Sequence, residues 1–169
     1  MKITLIAAVD ESNGIGKDNA IAWQNDEDMR HFRQYTEGKV VVMGRKTWDS
    51  LPVKPLPRRY NWVITKSKID DTILDLFIYN SGFMFSSFDY LMESTGYNSG
   101  LKGQELCIIG GQSIYEQFMP HATHLVITRI KGNYDCDRFF PVIDDTWHRH
   151  DIDVKDTCRI EYWKRKGAK

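Results

Sequence analysis

Six short apolar runs, spaced by stretches of helical character, constrain this chain more tightly than any other feature. They are Ile3 to Val9, Val40 to Met43, Trp62 to Thr65, Phe83 to Phe85, Leu106 to Ile109 and Leu125 to Ile130. Runs of this length, rich in Val and Ile and bounded by polar or glycine-bearing segments, read as strands buried on both faces. Helical patterns fall between several of them, at Asp26 to Thr36, Arg45 to Ser50, Phe88 to Glu93 and Ser113 to Phe118. Such alternation predicts an α/β class chain: a single-domain three-layer fold with a mostly parallel central sheet and helices on both faces. The tail behaves differently. From Trp147 to Lys164, polar and apolar residues mix around a turn near Asp156, which predicts a C-terminal antiparallel edge pair.

Residues 1–169 fit one domain, long enough to bury about 70% of the surface its unfolded form exposes. Lys plus Arg and Asp plus Glu balance at 23 each, so no overall field draws the chain to nucleic acid or to an anionic membrane. Anion binding must then be local. Cys107, Cys136 and Cys158 are odd in number and lack CxxC spacing, which argues against a disulfide framework and favours a reducing, cytoplasmic setting. No signal-peptide pattern precedes the first strand, and no apolar run approaches the ~20 residues of a membrane span. The segment Pro52 to Pro57 is a rigid loop, too short for a spacer.

Asp28 is the residue folding alone does not explain. Steps of about 100° per residue put Asp28, Phe32 and Tyr35 within roughly 60° of one another on the helix face that turns to the core. A carboxylate among aromatic rings carries a desolvation cost unless donors reach it. Either it joins Asp26 and Glu27 in complementing the positive end of a helix capped by Asn25, or it awaits a ligand with paired N–H groups.

Two other places share one design, in which a buried strand ends in glycine and a helix starts at once. The first runs Val40 to Thr47 through Gly44, Arg45 and Lys46; the second runs Leu106 to Ser113 through Gly110, Gly111 and Gln112. Glycine permits a sharp turn and close approach of a ligand, and the new helix offers unpaired N–H groups to an anion. Thr65, Lys66, Ser67 and Lys68 follow the next strand as a basic, hydroxyl-rich wall. Neither elbow has Walker A spacing and no GxGxxG follows a strand, which disfavours triphosphate hydrolysis. Two anionic sites beside a deep carboxylate suit a dinucleotide lying across strand ends. His148 and His150 alternate as in a strand, but no third ligand has suitable spacing and no metal site is expected. No nucleophile elbow or Cys–His arrangement stands out.

The chain resembles the dihydrofolate reductase family over nearly its whole length. The resemblance rests on Ile6-Ala7-Ala8, Gly14-Ile15-Gly16 with Asn19 and Trp23, Asp28 with Phe32, the run from Val42 to Trp48, Leu56-Pro57-x-Arg59, Ile109-Gly110-Gly111 with Tyr115, and Thr128 before Phe140-Pro141, all in family order. It implies NADPH-dependent reduction of 7,8-dihydrofolate, with hydride passing to pterin C6 and a proton to N5 by way of water. It assigns catalytic positions to Asp28, Trp23 and Ile21. Ile6, Ala7, Ala8, Phe32, Ser50, Leu51, Leu56, Ile109, Tyr115 and Thr128 would line the substrate slot, with Arg59 on the glutamate carboxylate. Ala8, Ile15, Gly16, Asn19, Ala20, Gly44, Arg45, Lys46, Thr47, Thr65, Lys66, Ser67, Gly110, Gly111, Gln112, Ser113, Ile114 and Tyr115 would hold the cofactor, and the positive charge among them favours a 2′-phosphate.

The same resemblance implies a monomer, antifolate inhibitors, and a loop from Asp10 to Gln24 that closes over the reacting rings, with Gly14 and Gly16 giving it freedom. The sequence departs from the family at Ala22, where proline usually stands, at Asn25 and Asp26, and at Gln112, where a third glycine is frequent. No function is assigned to the segment from Ser67 to Gln104. Two rivals stay open: a related pyrimidine reductase, which needs neither Arg59 nor the apolar slot, and a non-catalytic dinucleotide or folate binding or assembly protein.

Overall fold

A computed structural model of the chain describes residues 2–66, 82–97 and 104–168. Its strands are β1 (Lys2–Val9), β2 (Gly14–Gly16), β3 (Val40–Gly44), β4 (Tyr60–Ile64), β5 (Phe83–Phe85), β6 (Glu105–Ile108), β7 (His124–Ile130), β8 (Arg138–Phe139), β9 (Trp147–Val154) and β10 (Cys158–Arg165). The helices are α1 (Asp26–Thr36), α2 (Arg45–Ser50), α3 (Phe88–Tyr97) and α4 (Gln112–Phe118), the last running into a 3-10 turn at Met119–His121.

Eight strands form one sheet in the order β5-β4-β3-β6-β1-β7-β10-β9. Pairings from β5 across to β7 are parallel, while β10 and β9 add antiparallel at the edge. Side chains alternate across the pleat, so each parallel strand feeds two cores. Leu5, Val9, Val42 and Ile108 pack on one face with Leu91 of α3 and Phe118 of α4. Ile6, Val41, Met43 and Cys107 pack on the other with Trp48 of α2 and with Phe32 and Tyr35 of α1. This is why the apolar runs are continuous rather than alternating.

Observed elements follow the expected ones with shifted ends. Helix α3 continues to Tyr97, and β4 begins at Tyr60, before the expected Trp62. Residues 67–81 and 98–103, including Ser67, lie outside the described residues. One element is new: β2 pairs antiparallel with β8, within a stretch that reads as loop. A three-residue strand containing two glycines carries too little pattern to announce itself.

At the edge where β1 and β6 begin, Glu105 gathers the sheet and α1 together. Its carboxylate accepts from Thr4 Oγ1 at 2.5 Å and from the Tyr35 hydroxyl at 2.7 Å, and pairs with Lys39 Nζ at 2.9 Å and Lys2 Nζ at 3.1 Å. Burial pushes its pKa up, but the bonds from Thr4, Lys39, Tyr35 and Lys2 outweigh that and bring it to about 2. The folded-state value lies below the ordinary 4.5, so the contribution to stability is complete above that pH and is lost as pH falls toward about 2. Replacing Glu105 with Gln is therefore expected to cost about 2 kcal/mol at neutral pH and to flatten the acid limb of stability in this window, as measured by urea unfolding across pH.

Candidate active site

The two glycine elbows form one surface. β3 and β6 are adjacent in the sheet, so both glycine turns emerge at the same ends of the strands; Gly44 N donates to Gly110 O at 2.8 Å and Ile109 N donates to Val42 O at 2.9 Å. Gly44 and Gly111 are the N-cap residues of α2 and α4, and neither helix carries a side-chain cap bond. At Gly110, φ is 103°, and a Cβ there would stand 2.9 Å from the Tyr115 ring. A Cβ on Gly44 would meet Ile114 Cγ1 at 3.0 Å. The Tyr115 ring and the Ile114 side chain already fill that space. Thr47 lies beside the second elbow, its Oγ1 3.5 Å from where a Gly111 Cβ would be.

Charges around the elbows divide into bound and available groups. Arg45 Nε is held by Asp49 Oδ1 and Oδ2 at 2.8 and 3.0 Å along α2, whereas Lys46 and Lys66 are exposed. Thr65 is buried at the end of β4, and Ser113 is exposed at the start of α4. Gln112 does more than replace a glycine. Its Oε1 accepts from Phe139 N at 3.0 Å and its Nε2 donates to Glu116 at 2.8 Å, tying the elbow to β8.

Across β1 lies Asp28, in the first turn of α1. Asn25 caps the helix by accepting from Asp28 N at 2.9 Å. The Asp28 residue is 9% exposed. Burial raises its pKa, and a hydrogen bond with the Thr128 side chain opposes the rise. Thr128 is buried on β7, in register with Ala8 on one side and Ile160 on the other. Tyr115 donates to Ile6 O at 2.8 Å, and its own pKa is raised by burial and by the nearby Asp28 charge. Phe32, Leu51, Leu56 and Ile109 are partly buried against the cluster that holds Ile6. Ala7 packs in the opposite cluster, so its methyl group faces away from Ile6. Ser50 is exposed and turns its hydroxyl to Thr47 O at 2.8 Å.

Arg59 reaches the outer end of this wall. Its Nε donates to Thr36 Oγ1 at 2.8 Å, Nη1 to Pro57 O at 2.9 Å and Nη2 to Arg33 O at 3.3 Å. A guanidinium has five N–H donors, so two stay available for a carboxylate. Among the described residues no acidic group forms an ion pair with it.

The loop above the site corrects one expectation. Gly14 and Gly16 serve close packing rather than freedom, because a Cβ on Gly14 would lie 2.4 Å from Cys136 Cβ and one on Gly16 2.5 Å from Ala20 O. Both are buried, and positive φ falls instead on Asn13, Asp18 and Asn19. Ile15 is half-buried, Asn19 and Ala20 are exposed, and Ile21 is 59% exposed. Trp23 returns to the core against Tyr134, ring centroids 5.2 Å apart, with its Nε1 buried and lacking a partner in the structure. Such a donor costs about 1–3 kcal/mol until a ligand or water meets it.

The site therefore gathers Asp28, Thr128 and the apolar wall about β1, while Tyr115 reaches the Ile6 carbonyl from α4 and both elbows stand at the adjoining ends of β3 and β6. Sequence reading missed the bonds that hold it in place: the Gln112 side chain on β8, the Asp137 amide on Gly16 and its carboxylate on Asp18, and Thr157 on Asn25 and Glu27. Their partners are distant in the chain, so no local spacing signals them. Among the described residues, no three potential metal-ligating side chains cluster; His148 and His150 are exposed on β9.

A family model described as dihydrofolate reductase matches residues 2–159. The chain is 43% identical over 157 residues to the dihydrofolate reductase of Neisseria gonorrhoeae, covering 88% of this chain and 85% of the relative. It is 41% identical over 154 residues to that of Neisseria meningitidis serogroup A, covering 86% and 83%. For Haemophilus influenzae the identity is 35% over 165 residues, covering 98% and 93%.

Gly110→Ala is expected to destabilise the protein by about 1–3 kcal/mol, since the added methyl meets both a disfavoured φ and the Tyr115 ring. Thermal unfolding measures this; a melting temperature equal to the parent's would show that the elbow does not require glycine.

Proposed function

The chain belongs to the dihydrofolate reductase family and catalyses NADPH-dependent reduction of 7,8-dihydrofolate to tetrahydrofolate, and from that premise we propose that Asp28 anchors the pterin while the paired elbows hold the cofactor. This reaction supplies one-carbon carriers for nucleotide synthesis. The observation that carries the residue assignment is a carboxylate 9% exposed, with the Thr128 side chain near enough to lower its pKa and, among the described residues, no cation paired with it.

The pterin presents N3 and the 2-amino group as a fork complementary to a carboxylate, and charge-assisted bonds of this kind are about twice as strong as neutral ones. Thr128 orients the same end. Ile6, Ala8, Phe32, Leu51, Leu56 and Ile109 exclude water around the ring and the aminobenzoyl group, with Ala7, Ser50 and Tyr115 bordering them. Arg59 turns its two available donors to the glutamate α-carboxylate.

On the other side, the adjoining helix starts at Gly44 and Gly111, which carry no side-chain cap bond, leave backbone N–H groups for a phosphate, which fits NADPH. Gly44 to Thr47 and Gly110 to Tyr115 cradle it, Thr65, Lys66 and Ser67 meet the adenosine phosphate, and Ala8, Ile15, Gly16, Asn19 and Ala20 border the nicotinamide. NADPH, when bound, supplies the hydride from nicotinamide C4. The protein orients the two rings, and Ile21 and Trp23 shield them from bulk water. Trp23 Nε1 gives substrate or an ordered water one fixed donor.

The chain works as one domain over residues 1–169, as a cytoplasmic monomer open to antifolates that carry the same donor fork. Three free thiols suit a reducing compartment.

Asp28→Asn is expected to retain NADPH binding while losing about 100-fold in kcat/KM for dihydrofolate, equivalent to about 3 kcal/mol. It should also raise the melting temperature of the ligand-free protein at pH 7. A carboxyl whose folded pKa is raised loses stability as pH climbs past its ordinary value of 3.8, and the amide has no such loss. Steady-state kinetics and melting curves at pH 3.5 and 7 test both parts. Separately, Lys66→Glu is expected to raise the KM for NADPH about tenfold, or 1.4 kcal/mol, with that for NADH nearly unchanged; equal rises would remove Lys66 from 2′-phosphate recognition.

A further inference from the structure

The helix turn that carries Asp28 is held from outside the helix. Thr157, in the turn between β9 and β10, donates its amide to Glu27 Oε2 at 2.8 Å, and its hydroxyl donates to the same oxygen. Asn25 Nδ2 donates to Thr157 Oγ1 at 3.0 Å, while Asn25 Oδ1 accepts the amide of Asp28 at 2.9 Å. One residue of a distant hairpin thus grips both the cap of α1 and the residue immediately before the carboxylate. The grip continues into the strand. Cys158 is buried next in sequence, and Ile160 lies in register beside Thr128, the hydroxyl partner of Asp28.

Helix capping alone does not require this arrangement. Asn25 already satisfies the cap, and an acidic residue in the first turn interacts favourably with the helix dipole while fully solvated. The additional bonds fix α1 against the sheet at the point where a two-pronged hydrogen bond demands accurate placement, and misplacement by about 1 Å is costly in such a geometry. Their own environment favours them. The Glu27 carboxyl is held below its ordinary range by the Thr157 hydroxyl and amide, against a smaller burial effect.

We propose that the β9–β10 turn is a positioning element for substrate recognition, with Thr157 and Glu27 as positioning residues that set the place of the Asp28 carboxylate through Asn25 and the first turn of α1. The inference rests on Asp28 being the pterin anchor. It gives the polar residue Asn25 a task in this chain: it caps the helix and receives the hairpin.

Thr157→Val removes the hydroxyl at constant shape, Glu27→Ala removes the acceptor of both Thr157 bonds, and Thr157→Ser keeps the hydroxyl. Each is measured in the full-length enzyme for the KM of dihydrofolate and of NADPH, for kcat, for dihydrofolate affinity by tryptophan fluorescence quenching, and for melting temperature, with Asp28→Asn alongside. Thr157→Val and Glu27→Ala should each raise the KM and dissociation constant for dihydrofolate about fivefold and leave the KM for NADPH unchanged. The melting temperature should stay within about 2 °C of the parent, because the bonds are exposed. Thr157→Ser should match the parent, and the Thr157→Val/Glu27→Ala double variant should lose no more than the worse single one. Unchanged dihydrofolate affinity in both single variants, or equal losses for substrate and cofactor, overturns the positioning role. Full activity in Asp28→Asn would instead overturn the anchor on which it rests, so the two failures read differently.

Discussion

A carboxylate kept from water without a cation beside it is the constraint around which this molecule is arranged. Three carboxylate residues are buried among the described residues, and they are satisfied in different ways. Asp10 accepts the amides of Ser12, Gly14 and Tyr134 at 2.9, 2.7 and 3.1 Å. Glu161 is surrounded by Arg129, Arg149 and Arg159 at 3.1 to 3.3 Å. Asp28 has the Thr128 side chain nearby and, among the described residues, no arginine or lysine pair. The first two carboxylates are complete within the fold, since amides or guanidinium groups replace the water they lost. Asp28 is left with acceptor capacity that a donor-rich ligand can fill.

That incompleteness dictates the rest of the site. A carboxylate in a fully solvated cleft would select little, whereas one against Phe32 and the Ile6 cluster favours a flat heterocycle that is apolar on its faces and a donor at one edge. On the proposed assignment, the nicotinamide ring approaches along β1 from the elbows. The bond between Gly44 and Gly110 ties the two helix starts into one surface instead of two independent turns.

Much of this was legible in the sequence, for physical reasons that differ by element. Helices α1 and α2 and the parallel strands follow from apolar period and glycine punctuation, which are local. Asp28 was legible because its helical phase contradicted its charge, and the elbows because glycine closed a buried strand just where a helix began. What was not legible depends on pairing at a distance. The β2–β8 pair joins Gly14 to Phe139, the Gln112 side chain spans to β8, and Thr157 meets Asn25 and Glu27, none with a local signature. Gly14 and Gly16 show the limit most clearly. Glycine in a loop suggests freedom, yet here Cys136 and the Ala20 carbonyl occupy the space a side chain would need, so the same residue marks tight packing.

The loop over the site is consequently a structure with one anchored half and one exposed half. Asn13 is held by Arg129, whose own guanidinium is fixed by the buried Glu161; its Oδ1 accepts Arg129 Nη1 at 2.6 Å. Gly14 is held by Asp10, Gly16 O accepts from Asp137 N at 3.1 Å, and Asp18 N donates to Asp137 Oδ2 at 3.3 Å. Beyond Ala20 the bonding thins until Trp23 re-enters the core against Tyr134. The exposed interval contains Ile21 and the half-buried Ala22, at which the family usually places a proline. A proline there would stiffen the interval through its fixed φ. In this chain, Asp137 holds the loop before the interval and the Asn25–Thr157 bond holds the chain after it.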